Sequence, residues 1–278
     1  MKDRAYAKIN ASLDVFNIRE DGYHDIKSIM IPLRFYDVLD IEISEHNEYS
    51  CNNKYIRFNE KNSIIKMINV LQEKYNIHDS YKIDLKKVVP MQAGLGGGTS
   101  DAASTLRIFK KLYNLELTKD EEREICVCVG ADVLFNYYNV PAVVSGIGDY
   151  VEPFKMKKDY EVLLVKPRTG VSTKQAYETL DMSVCDHPDI EILKDALIEG
   201  NDISGLLGNS LEQPALILNK DINNIKKLLK DNGAQNVLMS GSGSSVFAIS
   251  ENYDEMQKLM EIAKKAGYYT RLTKTKAF

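Results

Sequence analysis

The segment Gly94-Leu95-Gly96-Gly97-Gly98 is the part of this sequence whose residues most clearly suggest a chemical function. Four glycines in five positions let backbone N–H groups converge, because no Cβ blocks an incoming group. Thr99 and Ser100 follow at the start of a predicted helix, whose N-terminus adds unpaired N–H groups and the positive end of its dipole. These features predict a polyphosphate cradle. The structural alternative is a glycine turn packed tightly against a neighbouring segment.

The glycine-rich segment differs from two common nucleotide-binding motifs. No Gly-Lys-Ser/Thr follows the glycines, which excludes a Walker A loop. The third glycine and the acidic residue of a Rossmann fingerprint are not placed as that motif requires. The hydroxyls of Thr99 and Ser100 can instead donate to an anion or bind Mg²⁺.

Two charged residues interrupt apolar runs at other places. Lys8 stands between Ala7 and Ile9 in a predicted strand, and it is either an edge lysine or the partner of a buried charge. Asp132 precedes an apolar run and is either a helix cap or a functional acid. Phosphoryl transfer to an alcohol needs an acid that positions or deprotonates the hydroxyl beside a cation. Lys8 and Asp132 would together supply that chemistry.

Three other segments contain turn-forming residues. Asp21-Gly22-Tyr23-His24 is either an exposed hairpin tip or a platform on which a flat ring stacks. The segment from Ser240 to Ser245 is either a flexible hairpin or a loop that lies against a ligand. The segment from Ser145 to Asp149 is expected to be only a turn.

Composition narrows the function classes. The 278 residues include 36 Lys+Arg and 40 Asp+Glu, a formal net charge of -4, which argues against nucleic-acid binding. No apolar run reaches the roughly 18–20 residues that cross a bilayer, so no membrane association is expected. The four cysteines show no disulfide or zinc spacing, and the scattered histidines predict no metal site. We expect a cytoplasmic protein that binds small molecules, and the sequence indicates no oligomeric state.

Hydrophobic periodicity predicts a mixed protein, α+β or α/β, with a domain boundary near residue 160. The predicted strands are 5–15, 26–33, 38–43, 81–89, 142–145, 161–166, 236–239, 246–249 and 268–272. The predicted helices are 63–75, 99–113, 118–130, 173–180, 190–197, 211–218, 222–232 and 253–266. Thr118 and Glu121 form a capping-box pattern at the start of the third helix.

Three of these segments together resemble a known superfamily. Gly94 to Ser100 is similar to the second motif of the GHMP kinases, Ala7-Lys8-Ile9-Asn10 to the first, and Ser240 to Ser245 to the third. Four further segments, in matching order, resemble one family within it, the 4-diphosphocytidyl-2-C-methyl-D-erythritol kinases. They are Arg19 to His24, Gly130 to Val133, Gly170 to Thr173 and Asn209 to Glu212.

The resemblance implies an α+β fold of the α/β sandwich type with two domains. Residues 1–160 would form an ATP-binding domain like the second domain of ribosomal protein S5, and residues 161–278 a ferredoxin-like domain. The implied activity is transfer of the γ-phosphoryl group of ATP, with Mg²⁺, to the 2-hydroxyl of diphosphocytidyl-methylerythritol. That reaction belongs to the non-mevalonate route to isoprenoid precursors.

The resemblance also implies roles for individual residues. Lys8 and Asp132 match the catalytic pair, and Asn10 would lie near the substrate. Tyr23 would stack on cytosine, His24 would bond to it, and Tyr177 would cover its other face. The residues implied to hold ATP are Pro90, Met91, Gln92, Ala93, Gly94, Leu95, Gly96, Gly97, Gly98, Thr99 and Ser100.

Two alternatives compete with this prediction. One is another GHMP kinase of the mevalonate or homoserine class, for which the Tyr23-His24 platform would have no use. The other is a kinase-like sensor that binds nucleotide without turnover, which the presence of Lys8 and Asp132 argues against. The chain departs from the family pattern at Leu134, where Pro is usual and fixes φ.

Overall fold

A computed structural model describes residues 1–277 as two sheets with helices packed against them. The strands are β1 (Lys2–Ile18), β2 (His24–Ser44), β3 (Glu48–Cys51), β4 (Ser80–Lys86), β5 (Ala142–Gly146), β6 (Tyr150–Pro153), β7 (Glu161–Lys166), β8 (Gly208–Asn209), β9 (Val237–Met239), β10 (Val246–Ser250) and β11 (Tyr269–Lys274). The helices are α1 (Ser63–Tyr75), α2 (Gly97–Leu112), α3 (Lys119–Val129), α4 (Val133–Tyr138), α5 (Thr173–Thr179), α6 (Ile190–Glu199), α7 (Glu212–Leu218), α8 (Asp221–Asp231) and α9 (Tyr253–Lys265).

The first sheet is built around the long antiparallel pair β1 and β2. One end of β2 pairs with β4 and the other end with β5, so a single strand connects both halves of the sheet. The short strand β8 lies parallel to β1 on its other side. The second sheet has the antiparallel order β11, β7, β10, β9. The expectation of a mixed architecture of strands and helices is met.

Two of the three large hydrophobic clusters in the described residues position these layers. One lies between the first sheet and α1 to α3, with Ile41, Ile83 and Leu106 among its buried side chains. The other joins both sheets, since Ile9 of β1 packs in the same cluster as Phe247 of β10. Burial of the apolar face of β1 in this second cluster therefore fixes the strand against the second sheet.

The sequence patterns located most elements and missed four short ones. Helix α1 and strand β7 have the predicted bounds, and Thr118 and Glu121 form the predicted capping box. The two predicted strands 26–33 and 38–43 are one continuous strand. The elements β3, β6, β8 and α4 were not predicted. The domain boundary at residue 160 stays a prediction.

None of the helices within residues 1–277 is long and apolar enough to cross a membrane.

Candidate active site

The glycine-rich loop connects β4 to α2 and is held by close backbone packing. Lys8 N–H donates to the Leu95 carbonyl at 3.0 Å, which ties the loop to β1. Gly94 and Gly96 have φ of 71° and 68°, the left-handed region that favours glycine. A Cβ at Gly94 would overlap the carbonyl oxygen of Ser240. Tight packing, the structural alternative for this segment, is thus one reason for the glycines.

The beginning of α2 also provides what an anion requires. Gly96 is the N-cap residue and has no side chain to cap the helix. The first-turn N–H groups, from Gly97 to Thr99, have no intrahelical acceptor. These residues line a large cavity, in which a phosphate would meet the positive end of the helix dipole.

Lys8 and Asp132 meet beside this loop. The Lys8 Nζ lies 3.2 Å from Asp132 Oδ2 and 2.6 Å from Asn10 Oδ1. The Lys8 side chain is 4% exposed, while that of Asp132 is 29% exposed. Asp132 occupies the N-cap position of α4, but its side chain makes no capping hydrogen bond. Lys8 is therefore the partner of a buried charge and not an edge lysine. The Asp132 side chain does not cap the helix, which leaves its carboxylate available to a ligand.

A network of buried polar groups orients this pair. Lys8 and Asn10 lie two residues apart on β1 and so share one face of the strand. Asn10 Nδ2 donates to Ser28 Oγ at 2.8 Å, and Ser28 Oγ donates to the Ser12 carbonyl at 2.6 Å. Because each donor has an acceptor, the amide of Asn10 is fixed with its oxygen toward Lys8.

The serine-rich loop between β9 and β10 completes the floor of the cavity. Ser240 Oγ donates to the Gly94 carbonyl at 3.0 Å, and the Ser245 N–H donates to the Ala93 carbonyl at 3.2 Å. Gly241 and Gly243 line the cavity. The loop is therefore buried against the glycine-rich loop and is not a free hairpin.

Aromatic residues also line the cavity. The rings of His24 and Tyr177 have centroids 4.9 Å apart at an angle of 42°, and Tyr23 is 60% exposed. Burial, followed by the charge of Asp132, raises the pKa of Tyr177 well above its usual value, so its hydroxyl stays protonated. All three rings line the same cavity as Lys8 and the glycine-rich loop.

The cavity has a volume of about 1390 Å³. Sites for one small ligand usually have about 300–1,000 Å³, so this space suits two ligands. The cavity also extends beside the glycine-rich loop, along the segment between β3 and α1. Its lining includes Tyr55, Arg57, Asn62 and Ser63.

Comparisons with known proteins agree with this geometry. The family models for the GHMP kinases N terminal domain and the GHMP kinases C terminal match residues 62–146 and 185–270. A 4-diphosphocytidyl-2-C-methyl-D-erythritol kinase from Clostridium beijerinckii is 39% identical over 273 residues, which cover 93% of this chain and 96% of the relative. One from Thermoanaerobacter pseudethanolicus is 38% identical over 278 residues, which cover 99% and 96%.

The chain belongs to the 4-diphosphocytidyl-2-C-methyl-D-erythritol kinase family.

A solved structure extends this agreement to the whole fold. The crystal structure of a 4-(cytidine 5'-diphospho)-2C-methyl-D-erythritol kinase matches with a TM-score of 0.84 at 27% identity, over 100% of both chains. The predicted α+β fold with two GHMP kinase domains is confirmed, as is the prediction of a phosphotransferase. The kinase family implies ATP as phosphoryl donor and a small molecule as acceptor. The likeness favours this family over the mevalonate, homoserine and sensor alternatives.

Ser100 is placed differently from its predicted neighbours. Pro90 to Thr99 all line the cavity, but Ser100 is 1% exposed and its hydroxyl donates to the Gly97 carbonyl at 3.0 Å. Since the helix already begins at Gly97, its side chain points into the helix packing and not toward a ligand. The Thr99 hydroxyl donates to the Gly96 carbonyl at 3.0 Å and stays at the cavity wall.

Asn136 is a supporting residue that the sequence did not indicate. It is 4% exposed, and its Nδ2 donates to Thr99 Oγ1 at 2.9 Å and to the Asp132 carbonyl at 2.8 Å. This side chain therefore links the acid to the glycine-rich loop. Leu134, where the family usually has Pro, lies in the first turn of α4, where Pro is tolerated, and it is buried in the core.

Proposed function

We propose that this kinase transfers the γ-phosphoryl group of ATP to the 2-hydroxyl of 4-diphosphocytidyl-2-C-methyl-D-erythritol at the Lys8–Asp132 pair. The observation that carries the proposal is the Asp132 carboxylate. It is partly exposed to the cavity, paired with a buried lysine and not used as a helix cap. A carboxylate placed in this way beside a lysine can accept a hydrogen bond from an alcohol.

The residues would contribute to the reaction in two ways, by positioning the acceptor hydroxyl and by neutralising the charge of the transferred group. Asp132 would orient the acceptor hydroxyl, or take its proton, as the oxygen forms a bond to the γ-phosphorus and the bond to the β-phosphate oxygen breaks. Lys8 and the amides at the start of α2 would neutralise the charge on the transferred group. In phosphoryl transfer, positioning and electrostatic stabilisation account for most of the rate enhancement.

Mg²⁺ would enter the site with ATP. Within residues 1–277 no cluster of three or more His, Cys, Asp or Glu is suited to hold a metal ion by itself. That fits Mg²⁺, which commonly binds the phosphates of a nucleotide with only one or two protein oxygens. The Asp132 carboxylate and the Thr99 hydroxyl are oxygen ligands at the cavity wall that could serve. When bound, the ion would neutralise charge on the phosphates.

The aromatic residues of the cavity would bind the cytosine. The rings of His24 and Tyr177 lie in contact. The exposed ring of Tyr23, the residue before His24, lines the same cavity. Stacking on aromatic rings contributes about 1–3 kcal/mol per base. The segment with Tyr55, Arg57 and Asn62 would then take the nucleoside of ATP, because it lines the cavity beside the start of α2, where the Ser63 hydroxyl donates to the Gly98 carbonyl at 2.6 Å.

The direct test is ADP release from the purified chain with ATP and Mg²⁺. We expect turnover with 4-diphosphocytidyl-2-C-methyl-D-erythritol and none with mevalonate, homoserine or galactose. An Asp132→Asn variant serves as the inactive control, since we expect it to bind the same ligands although it lacks the carboxylate. Turnover with another alcohol would contradict the cytosine assignment. Clean ATP binding without turnover on any acceptor would support a sensor and overturn the proposal.

A further inference from the structure

A second charged cluster lies under the glycine-rich loop, outside the catalytic pair. Lys87 follows β4, and its Nζ lies 2.7 Å from Asp37 Oδ2 and 2.5 Å from Asp101 Oδ2. The side chains of all three residues are at most 5% exposed. Asp37 comes from β2 and Asp101 from α2, so the cluster joins three elements at one point.

The third partner of Lys87 belongs to the loop itself. Its Nζ donates to the Gly97 carbonyl at 3.1 Å, so the three N–H groups of the ammonium have three acceptors. Asp37 Oδ1 accepts from the N–H groups of Val88 and Val89, which fixes the chain that leads into the loop. Lys87 is thus fully engaged by the protein and has no free N–H group to offer a phosphate.

The contact with Gly97 affects the anion site. The Gly97 carbonyl shares its peptide group with the N–H of Gly98, which belongs to the unpaired set at the start of α2 and lies in the cavity lining. A carbonyl oxygen that turned into the same space would repel a triphosphate. Lys87 binds that oxygen, and because the C=O and N–H of a trans peptide point in opposite directions, the Gly98 N–H points away from Lys87. A Cβ at Gly97 would come within 3.2 Å of the Lys87 Nζ.

We propose that Lys87, held between Asp37 and Asp101, is a positioning residue that fixes the Gly97–Gly98 peptide with the Gly98 N–H toward the triphosphate, so that it controls ATP affinity and not the chemical step. This rests on the proposed function only in that ATP occupies the glycine-rich loop. The identity of the acceptor alcohol does not enter.

The charge of the cluster supports this role. The two carboxylates outweigh burial and keep the pKa of Lys87 above its usual value, so the ammonium stays charged. Burial raises the pKa of Asp101 to about 7, and its Oδ1 is buried without a hydrogen-bond partner. A buried acid that is costly to keep and that pairs with Lys87 under the loop is consistent with a role in the shape of the loop.

Removing Lys87 alone would leave two buried carboxylates without a cation, and Lys87→Met is therefore expected to fold poorly. The informative variant combines Lys87→Met with Asp101→Asn, because it removes one charge of each sign and keeps the net charge of the cluster. Lys86→Met is the matched control, since Lys86 is the exposed neighbour on β4.

The test measures ATP binding by calorimetry, together with kcat and KM for both substrates. We expect the double variant to bind ATP at least tenfold more weakly, with kcat and the KM of the cytidyl substrate within threefold of wild type. Lys86→Met should match wild type in all three. Equal ATP affinity in the double variant and wild type would overturn the role of Lys87 alone. A parallel loss in kcat and in both KM values would also overturn it, as a general structural effect. Failure of the wild-type chain to bind ATP would instead overturn the proposed function.

Discussion

Two buried lysines flank the glycine-rich loop, and they differ in the exposure of their acidic partners. Lys8 pairs with Asp132, whose side chain is 29% exposed to the cavity. Lys87 pairs with Asp37 and Asp101, which are 0% and 5% exposed. Asp132 is open to a ligand, whereas the side chains of the second cluster are almost fully buried, although Lys87 and Asp101 border the same cavity. The same residue type therefore serves chemistry in one place and loop geometry in the other.

The difference shows what decides the role of a buried lysine. Burial of an ion is costly in both places, and each lysine is compensated by carboxylate and hydrogen-bond partners. The Lys8 ammonium contacts two partners, Asn10 and Asp132, and so keeps one N–H group for a hydrogen bond to a substrate or phosphate. Lys87 has three and keeps none. Variants on each side should consequently change different kinetic constants.

The largest effect is expected from Asp132→Asn. The amide keeps the shape of the side chain but cannot accept a proton, so kcat should fall by about 10³-fold. ATP affinity should stay within about threefold of wild type, since the loop amides remain. Steady-state kinetics and calorimetry give both numbers. Near-wild-type turnover would remove Asp132 from the chemistry.

A smaller effect is expected from Tyr23→Ala among the aromatic residues of the cavity. Loss of one stacking ring should raise the KM for the cytidyl substrate by about tenfold, with kcat and the KM for ATP little changed. The exposed Tyr253, 49% exposed on α9 and outside the cavity lining, supplies a control as Tyr253→Ala. An unchanged KM in Tyr23→Ala would undo the stacking assignment.

Ser28→Ala tests the support behind Lys8. The change leaves the buried Nδ2 of Asn10 without its acceptor, a loss of about 1–3 kcal/mol. Part of that loss should appear as a fall in kcat of a few fold, because Asn10 can then turn its oxygen away from Lys8. The KM for ATP should not change. A variant with wild-type kcat and lowered stability would show that the network is purely structural.

The cluster of Lys87, Asp37 and Asp101 should affect mainly the stability of the protein and its dependence on pH. The pKa of Asp101 is about 7 in the folded chain, raised mainly by burial from 3.8. A raised pKa means that the folded state holds a proton that the unfolded state has lost, so this group contributes stability below about pH 4 that is lost as pH rises through 7.

Urea unfolding at pH 5 and pH 8 checks this sign. Wild type should lose stability between these values, and Asp101→Asn should lose less because the amide does not titrate. Parallel losses in the two proteins would contradict the assignment of the effect to Asp101.

Much of the fold was predictable because the informative patterns were local. The helix 63–75 has buried residues at helical spacing and an asparagine N-cap, and the strand 161–166 is a short apolar run after a polar segment. The short strands β3 and β8 have few residues and no hydrophobic alternation, so pairing partners distant in sequence define them. The strand β2 continues through the polar residues between its two apolar runs, since β1 pairs with it there.

The candidate site was predictable to a similar extent. The glycine-rich loop, Lys8 and Asp132 interrupt the local pattern and drew attention for that reason. Lys87 did not, although a signal was present: Tyr81, Ile83 and Leu85 alternate inward on β4, and the same alternation puts position 87 on the buried face. The helix begins two residues earlier than predicted, which turns the Ser100 hydroxyl inward, and the contact of Ser100 with ATP stays a prediction.

The most direct test of the contrast compares Lys8→Met with the Lys87→Met and Asp101→Asn double variant in one experiment. Lys8→Met should lose at least about 100-fold in kcat with ATP affinity within threefold of wild type. The double variant should keep kcat and lose ATP affinity by at least tenfold. If both variants change the same constant by similar factors, the two lysines do not have separate roles and the account is wrong.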